Sequence, residues 1–119
     1  NLGIVGDLAD RVAVMYAGQL VEIAPARGLL RRPLHPYTRA LLNSVPSLGA
    51  AVERLTAIPG AVPQLGAFPT GCRFHPRCPM AQPECSREVP ALTEVESGRW
   101  VRCPYWRSEK ANPKSEIRN

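Results

Sequence analysis

Four cysteines restrict the fold of this chain more than any other feature of its sequence. They are Cys72, Cys78, Cys85 and Cys103, spaced C-x5-C-x6-C-x17-C in an otherwise cysteine-free chain of 119 residues. A chain of this length buries only a modest core, so four independent buried thiols in one segment are not expected. The segment is therefore predicted to be organised by disulfides or by a shared metal group.

Three coordinated states use four thiols. Two disulfides are typical of small exported domains, but no secretory signal is visible and the N-terminal part resembles no disulfide scaffold. Structural zinc is usually held by paired C-x2–4-C ligands, and neither short spacing here has that form. A [4Fe–4S] cluster takes four thiolates across longer and irregular spacers. The spacing favours the cluster and leaves zinc as the alternative.

The residues beside the cysteines favour a negatively charged group. Cys78 and Cys103 are each followed by proline, as at ferredoxin ligands. A cluster with four thiolates carries a net charge of about −2, which nearby guanidinium groups would neutralise. The candidate arginines are Arg73, Arg77, Arg87 and Arg102, partly offset by Glu84 and Glu88.

Three further residues are expected to shape the cysteine segment. Gly71 precedes Cys72 and would let the backbone bend tightly and present amides to the sulfurs. Trp100 and Trp106 bracket Cys103 and are predicted to shield a cluster from solvent. His75 lies between two cysteines and is interpreted as a neighbour of the site, because four thiolates already complete the ligand set.

The N-terminal part reads as regular structure. Apolar residues recur at helical spacing over positions 2–9, which predicts the end of an amphipathic helix. Two β-prone runs, Val12–Tyr16 and Gln19–Ile23, flank Ala17-Gly18 and predict a β-hairpin. Such a hairpin is marginal alone, so we expect it to lean on a larger body outside this chain.

The remainder is rich in turns, since all 13 prolines lie at or after Pro25. Two short helices are predicted. One begins at Pro25, continues through Leu30 and is ended by Arg31-Arg32-Pro33, and the other begins near Pro36 and ends before Pro46. Tyr37, Leu41 and Leu42 are expected to pack the second helix against the hairpin. His35 is interpreted as a loop or cap residue and not as a catalyst. Residues 47–70 read as loop.

The fold class is therefore an irregular α+β chain. We expect three parts: residues 1–24 as the end of a larger domain, 25–106 as an extension with a four-cysteine lobe at 71–106, and 107–119 as a disordered tail.

Composition sets limits on function. The apolar fraction of 45% is ordinary for a globular protein, and no apolar run approaches the roughly 18 residues that span a bilayer. The net charge is +5, but the basic residues are scattered without interleaved aromatic residues, so no nucleic-acid partner is expected. Ser44 and Ser47 have no recognisable Asp–His partners, so nucleophilic catalysis is not indicated.

Three stretches resemble the ATP-binding subunits of oligopeptide/dipeptide ABC transporters. The first, at positions 8–18 (LADRVAVMYAG), resembles the segment after the switch histidine of these ATPases. The second, at 33–42 (PLHPYTRALL), is similar to the His-Pro-Tyr motif of their C-terminal extension. The third runs from Ile58-Pro59-Gly60 through the four cysteines to Pro104.

The resemblance implies both a cofactor and a context. In this family the four cysteines are associated with a [4Fe–4S] cluster in an accessory or regulatory region. The parent protein would bind ATP and Mg²⁺ and couple ATP hydrolysis to peptide uptake. It would pair with a second ATPase subunit, dock under transmembrane permease subunits at the cytoplasmic face of the membrane, and be served by a peptide-binding protein.

The ATP-binding motifs themselves are not in these residues. The phosphate loop G-x-x-x-x-G-K-[ST], the signature motif, the Walker B carboxylates and the switch histidine are missing, and that histidine would fall just before Asn1. We therefore expect a fragment that does not hydrolyse ATP alone. The alternatives are a self-standing basic zinc module with a nucleic-acid or protein partner, and an extracellular disulfide domain.

Overall fold

The computed structural model describes residues 10–44 and 60–107. The predicted helix over residues 2–9, the loop residues 47–59 and the tail residues 108–119 lie outside the described residues. Residues 60–70 contain neither helix nor strand, as predicted. The predicted division at residues 24 and 106 stays a prediction.

The chain begins in the described part with the predicted hairpin. Strands β1 (Arg11–Tyr16) and β2 (Gln19–Pro25) pair antiparallel through the two-residue turn Ala17-Gly18. Both turn residues have positive φ, 50° and 82°, which matches the mirror-image turn that follows the twist of a hairpin. The register shifts beside Met15, where Val21 is the extra residue of a bulge.

The hairpin is completed from within the chain. Strands β3 (Thr93–Glu96) and β4 (Arg99–Val101) join it in one antiparallel sheet of order β1-β2-β4-β3. The backbone N–H of Arg102 donates to the Val21 carbonyl at 2.8 Å and extends this pairing. The body that we expected outside the chain is thus supplied in part by the cysteine segment, whose two strands the sequence did not predict.

Two short helices follow the hairpin, as predicted. Helix α1 spans Ala26–Arg31 and helix α2 spans Pro36–Asn43. His35 is the N-cap of α2, and its ring Nδ1 accepts the backbone N–H of Tyr37 at 3.0 Å. Proline at the first position suits this helix start because its missing N–H has no intrahelical partner there.

One core joins the hairpin, the helices and the cysteine segment. Phe74 is buried and packs edge-on against Tyr16 and Tyr37, with ring centroids 5.2 and 5.5 Å apart. Tyr16 and Tyr37 are themselves in contact at 4.7 Å, so Tyr37 packs against the hairpin as predicted. The other buried members of this cluster are Val14, Val21, Ala24 and Leu29.

A buried carboxylate joins the sheet to the segment between the helices. Glu22 on β2 is fully buried and accepts the backbone N–H groups of Leu34 and His35, each at 3.0 Å. It also pairs with Arg99 of β4, with 2.9 Å between Oε2 and Nη2. The carboxylate of Glu22 thus has both a countercharge and hydrogen-bond donors, which is the condition for a carboxylate to be buried.

Within residues 10–44 and 60–107, no helix has the length and apolar character needed to cross a membrane.

Candidate metal centre

The four cysteines line a single cavity of about 80 Å³. Cys72 and Cys78 lie on either side of the 3-10 turn His75–Arg77, and Cys85 lies inside a second such turn, Pro83–Ser86. Cys103 comes two residues after β4. All four are half-buried free thiols. Three separate stretches of backbone, the two turns and the end of β4, therefore bring the predicted ligands to one cavity.

Gly71 allows the closest of these approaches. Its φ is +75°, and the adjacent backbone N–H of Cys72 donates to the Cys85 carbonyl at 2.8 Å. A Cβ at position 71 would collide with that carbonyl oxygen and lie 2.7 Å from the carbonyl carbon of Ser86. The tight bend that the sequence predicted at Gly71 is therefore confirmed, and it holds two of the cysteines side by side.

Backbone amides point at the sulfurs. The N–H of Gln82 donates to Cys85 Sγ at 3.3 Å. Backbone hydrogen bonds from Phe74 and His75 to Cys72, and from Met80 to Cys78, lower the pKa values of those thiols. Donors of this kind stabilise thiolates, and they are one of the factors that tune protein-bound iron–sulfur clusters.

Burial nevertheless dominates the protonation of the thiols. Desolvation, followed by the mutual repulsion of the cysteines, raises the pKa of Cys103 to about 12. Desolvation also raises the pKa of Cys78 to about 11 and that of Cys72 above its ordinary value. These three are therefore neutral thiols near pH 7 when nothing is bound. A cationic group in the cavity would allow the thiolates to coexist, and its binding would release protons.

The arginines around the site differ from the prediction. The guanidinium of Arg73 donates to the Ala17 carbonyl at 2.6 Å, and that of Arg77 donates to the Tyr16 hydroxyl at 3.1 Å. Both are thus directed toward the hairpin and do not line the cavity, while Arg87 is exposed. Arg102 does lower the pKa of Cys72, as a neutralising charge should.

Arg39 is a charge that the sequence did not identify. It lies on α2, and its charge lowers the pKa values of Cys78 and Cys103. Its distance in sequence from every cysteine hid it, and only the packing of α2 on the cavity reveals it.

The apolar wall of the cavity also differs from the prediction. Phe74, Met80 and Tyr105 line it, and neither tryptophan does. Trp100 lies on β4 opposite Ile23, and Trp106 lines a neighbouring groove of about 340 Å³. Neither tryptophan therefore forms the wall of the cavity, although Trp106 and Cys103 share the neighbouring groove, and the predicted shielding role stays a prediction.

Both histidines line the cavity without being needed as ligands. One ring nitrogen of His75 lies 2.8 Å from the Cys72 carbonyl oxygen, which fits the predicted neighbour of the site. His35 is fully buried, and burial lowers its pKa to about 3. It is therefore neutral at physiological pH, as its capping acceptor requires.

The size of the cavity bears on what the four thiols could bind. Among the residues that the structure describes, no three His, Cys, Asp or Glu side chains are close enough to hold a single metal ion. The cavity of about 80 Å³ is also several times the roughly 10–15 Å³ that one water needs. The four thiols thus share the lining of a cavity with room for more than one water molecule.

Comparison with known proteins gives this site a context. The family described as "Oligopeptide/dipeptide transporter, C-terminal region" matches residues 21–85, which include the first three cysteines. The oligopeptide transport ATP-binding protein AppD of Bacillus subtilis is 48% identical over 111 residues, covering 93% of this chain and 34% of that protein.

Two relatives from Brucella agree with this. A putative peptide import ATP-binding protein of Brucella ovis is 46% identical over 112 residues, covering 89% of this chain and 33% of its own length. One from Brucella melitensis is 46% identical over 104 residues, covering 87% and 31%. The chain thus spans about a third of the length of the curated relatives it matches. It belongs to the family of oligopeptide/dipeptide transporter C-terminal regions.

Proposed function

We propose that this chain is the C-terminal region of the ATP-binding subunit of a peptide ABC importer. The family match over residues 21–85 and the peptide-transport names of the relatives support this. ATP and Mg²⁺ would be bound by other parts of the subunit, since none of the ATP-binding motifs lies in these 119 residues. The partners would be a second ATPase subunit, the membrane permeases at the cytoplasmic face and, indirectly, a peptide-binding protein.

Within that subunit, we propose that Cys72, Cys78, Cys85 and Cys103 hold a [4Fe–4S] cluster. The observation that carries this proposal is that all four cysteines of the chain line one cavity. The size of that cavity and the amide donors to sulfur support a cluster over zinc.

A bound cluster would supply a covalent crosslink and a one-electron redox centre. The chain's own residues would provide the rest: four thiolates, amide N–H donors and an apolar wall that limits access of water. The region would then act as an accessory or regulatory part of the importer, with the cluster joining the turns at residues 71–86 to the end of β4.

Iron analysis tests the cluster. The chain reconstituted anaerobically is expected to be brown and to contain about four iron and four sulfide ions per molecule. Each single Cys→Ser substitution should lower iron retention at least tenfold, because a cluster that loses one thiolate ligand is labile. His75→Gln is the matched control, since His75 touches the same cavity and is not assigned as a ligand. A colourless protein with one tightly held zinc would refute the cluster.

Peptide uptake tests the importer. Cells that depend on this full-length subunit for a required peptide are expected to stop growing on it when the subunit is deleted, and to recover when it is restored. Growth on the free amino acids should be unaffected, which is the control for viability. Normal uptake of peptides of every length without the subunit would contradict the proposal.

A further inference from the structure

Cys103 is held differently from the other three cysteines. Cys72, Cys78 and Cys85 share the turns at residues 71–86. A backbone hydrogen bond joins Cys72 to Cys85, and His75 links Cys72 to Cys78 through two more. Cys103 instead enters the cavity from the far end of the sheet, after β4. The sheet holds Arg102 before it, through the backbone N–H that donates to the Val21 carbonyl at 2.8 Å. Further contacts come from His35, the N-cap of α2, and from Arg39 within α2.

His35 holds the preceding residue. The Nδ1 atom of its ring accepts the backbone N–H of Tyr37 at 3.0 Å. The contact of the ring with the backbone of Arg102 raises the pKa of His35, against the larger lowering by burial. The His35 backbone N–H is in turn held by buried Glu22 at 3.0 Å. His35 also lines the cavity, so a fully buried side chain forms part of the same wall as Cys103.

Arg39 holds the chain after Cys103. Arg39 lies one turn after His35 on α2. Its Nη2 donates to the Trp106 carbonyl at 3.3 Å, and its Nε donates to the Pro33 carbonyl at 3.0 Å. Its Nη1 is buried and has no hydrogen-bond partner among the described residues. A partly buried cation with a spare N–H favours negative charge nearby, and four thiolates would supply it.

We propose that α2 positions the fourth thiol, with His35 and Arg39 holding Arg102 and Trp106 on either side of Cys103. Both are positioning residues and neither is a ligand. The part of this inference that concerns iron rests on the proposed cluster, while the placement of Cys103 applies to the metal-free chain as well.

The first experiment uses the metal-free, reduced full chain. Alkylation by iodoacetamide is followed at each cysteine by mass spectrometry in the original chain and in His35→Asn and Arg39→Gln. Asn keeps a good helix cap but is too short to cap α2 and also reach Arg102. Cys103 is expected to react roughly tenfold faster in His35→Asn, relative to Cys72, because loss of its backbone support exposes it. The increase should be smaller in Arg39→Gln, because loss of the positive charge also lowers the thiolate fraction of Cys103.

Arg73→Gln is the matched control. Arg73 is also a partly buried arginine that donates to a backbone carbonyl, but its partner is Ala17, in the turn of the hairpin. It should leave the ratio of Cys103 to Cys72 reactivity unchanged. Equal acceleration of all four cysteines in the α2 variants, or no acceleration, would overturn the inference, and circular dichroism identifies a variant that has unfolded.

The second experiment uses the iron-loaded chain. On mild oxidation, His35→Asn and Arg39→Gln are expected to lose one iron about 10–100-fold faster and to give the paramagnetic signal of a three-iron cluster, as Cys103→Ser should. Arg39→Gln should also lower the reduction potential, because a positive charge stabilises the more negative reduced cluster, and Arg39→Lys should restore it.

The two proposals fail in different ways. An original chain that takes up no iron, together with selective exposure of Cys103 in the variants, refutes the cluster and supports the positioning role. An original chain with four irons whose α2 variants keep the same cluster, potential and alkylation pattern refutes the positioning role alone.

Discussion

Replacing Gly71 with alanine is expected to destabilise the metal-free chain by about 2–5 kcal/mol and to abolish iron binding. Two costs combine at this position. The φ of +75° is unfavourable for any residue with a Cβ, and the new Cβ would collide with the backbone of Cys85 and Ser86. Backbone yields less readily than a flexible side chain, so relief requires that the segments of Cys72 and Cys85 move apart.

Gly66→Ala separates the two costs. Gly66 has a similar φ of +88°, but a Cβ there would meet nothing within 4 Å. Its substitution should therefore cost only about 1 kcal/mol, from backbone conformation alone. Urea unfolding of both variants, followed by tryptophan fluorescence, measures the difference. Equal losses for the two variants, or full iron binding by Gly71→Ala, would show that the close approach at Gly71 does not hold the site together.

The elements that the sequence predicted correctly are those with local signals. Ala17-Gly18 between two β-prone runs is sufficient to place the hairpin turn, and Pro36 after a capping residue is sufficient to start α2. The grouping of the four cysteines was also predictable, because their concentration in one segment makes independent roles improbable. Each of these inferences uses neighbours within a few positions along the chain.

The strands of the cysteine segment were missed because pairing decides them. β3 reads Thr-Glu-Val-Glu and β4 has only three residues, so neither carries a strong alternating pattern. Strand formation there depends on β2, whose Glu22 lies opposite Val101, far away in sequence. The same pairing places Trp100 opposite Ile23 and outside the cavity wall, since nearness to a cysteine in sequence does not set the side of the sheet that a side chain faces.

The charges at the site were also predicted poorly where the contacts join residues far apart in sequence. Arginines next to cysteines in the sequence looked like their partners, yet Arg73 and Arg77 donate to the hairpin. Arg39, which acts on Cys78 and Cys103, comes from a helix more than thirty positions upstream, near enough only after folding. A similar distance hid the pair of Glu22 and Arg99, since a glutamate in a short strand usually faces solvent.

Neutralising that buried pair is expected to give the second large effect. Glu22→Gln preserves the size of the side chain but leaves the Arg99 guanidinium buried without a countercharge, and the expected cost is about 3–5 kcal/mol. Arg99 has little alternative, because it is 7% exposed, one Nη2 contact goes to the Arg32 carbonyl, and its Nε has no partner among the described residues. Thermal and urea unfolding of the reduced chain measure the loss.

Glu96→Gln is the matched control, and it shows why burial outweighs distance. Its partner Arg32 is closer, at 2.6 Å against 2.9 Å for the buried pair, but the two side chains are 39% and 45% exposed. Water and salt screen such a pair, so the expected cost is about 0–1 kcal/mol and should vanish in about 1 M salt. The Glu22→Gln cost should persist in the same salt because little solvent reaches the pair. If the two substitutions cost the same, or if salt removes both effects, the Glu22–Arg99 contact does not hold β2 to β4, and the placement of His35 through Glu22 must have another cause.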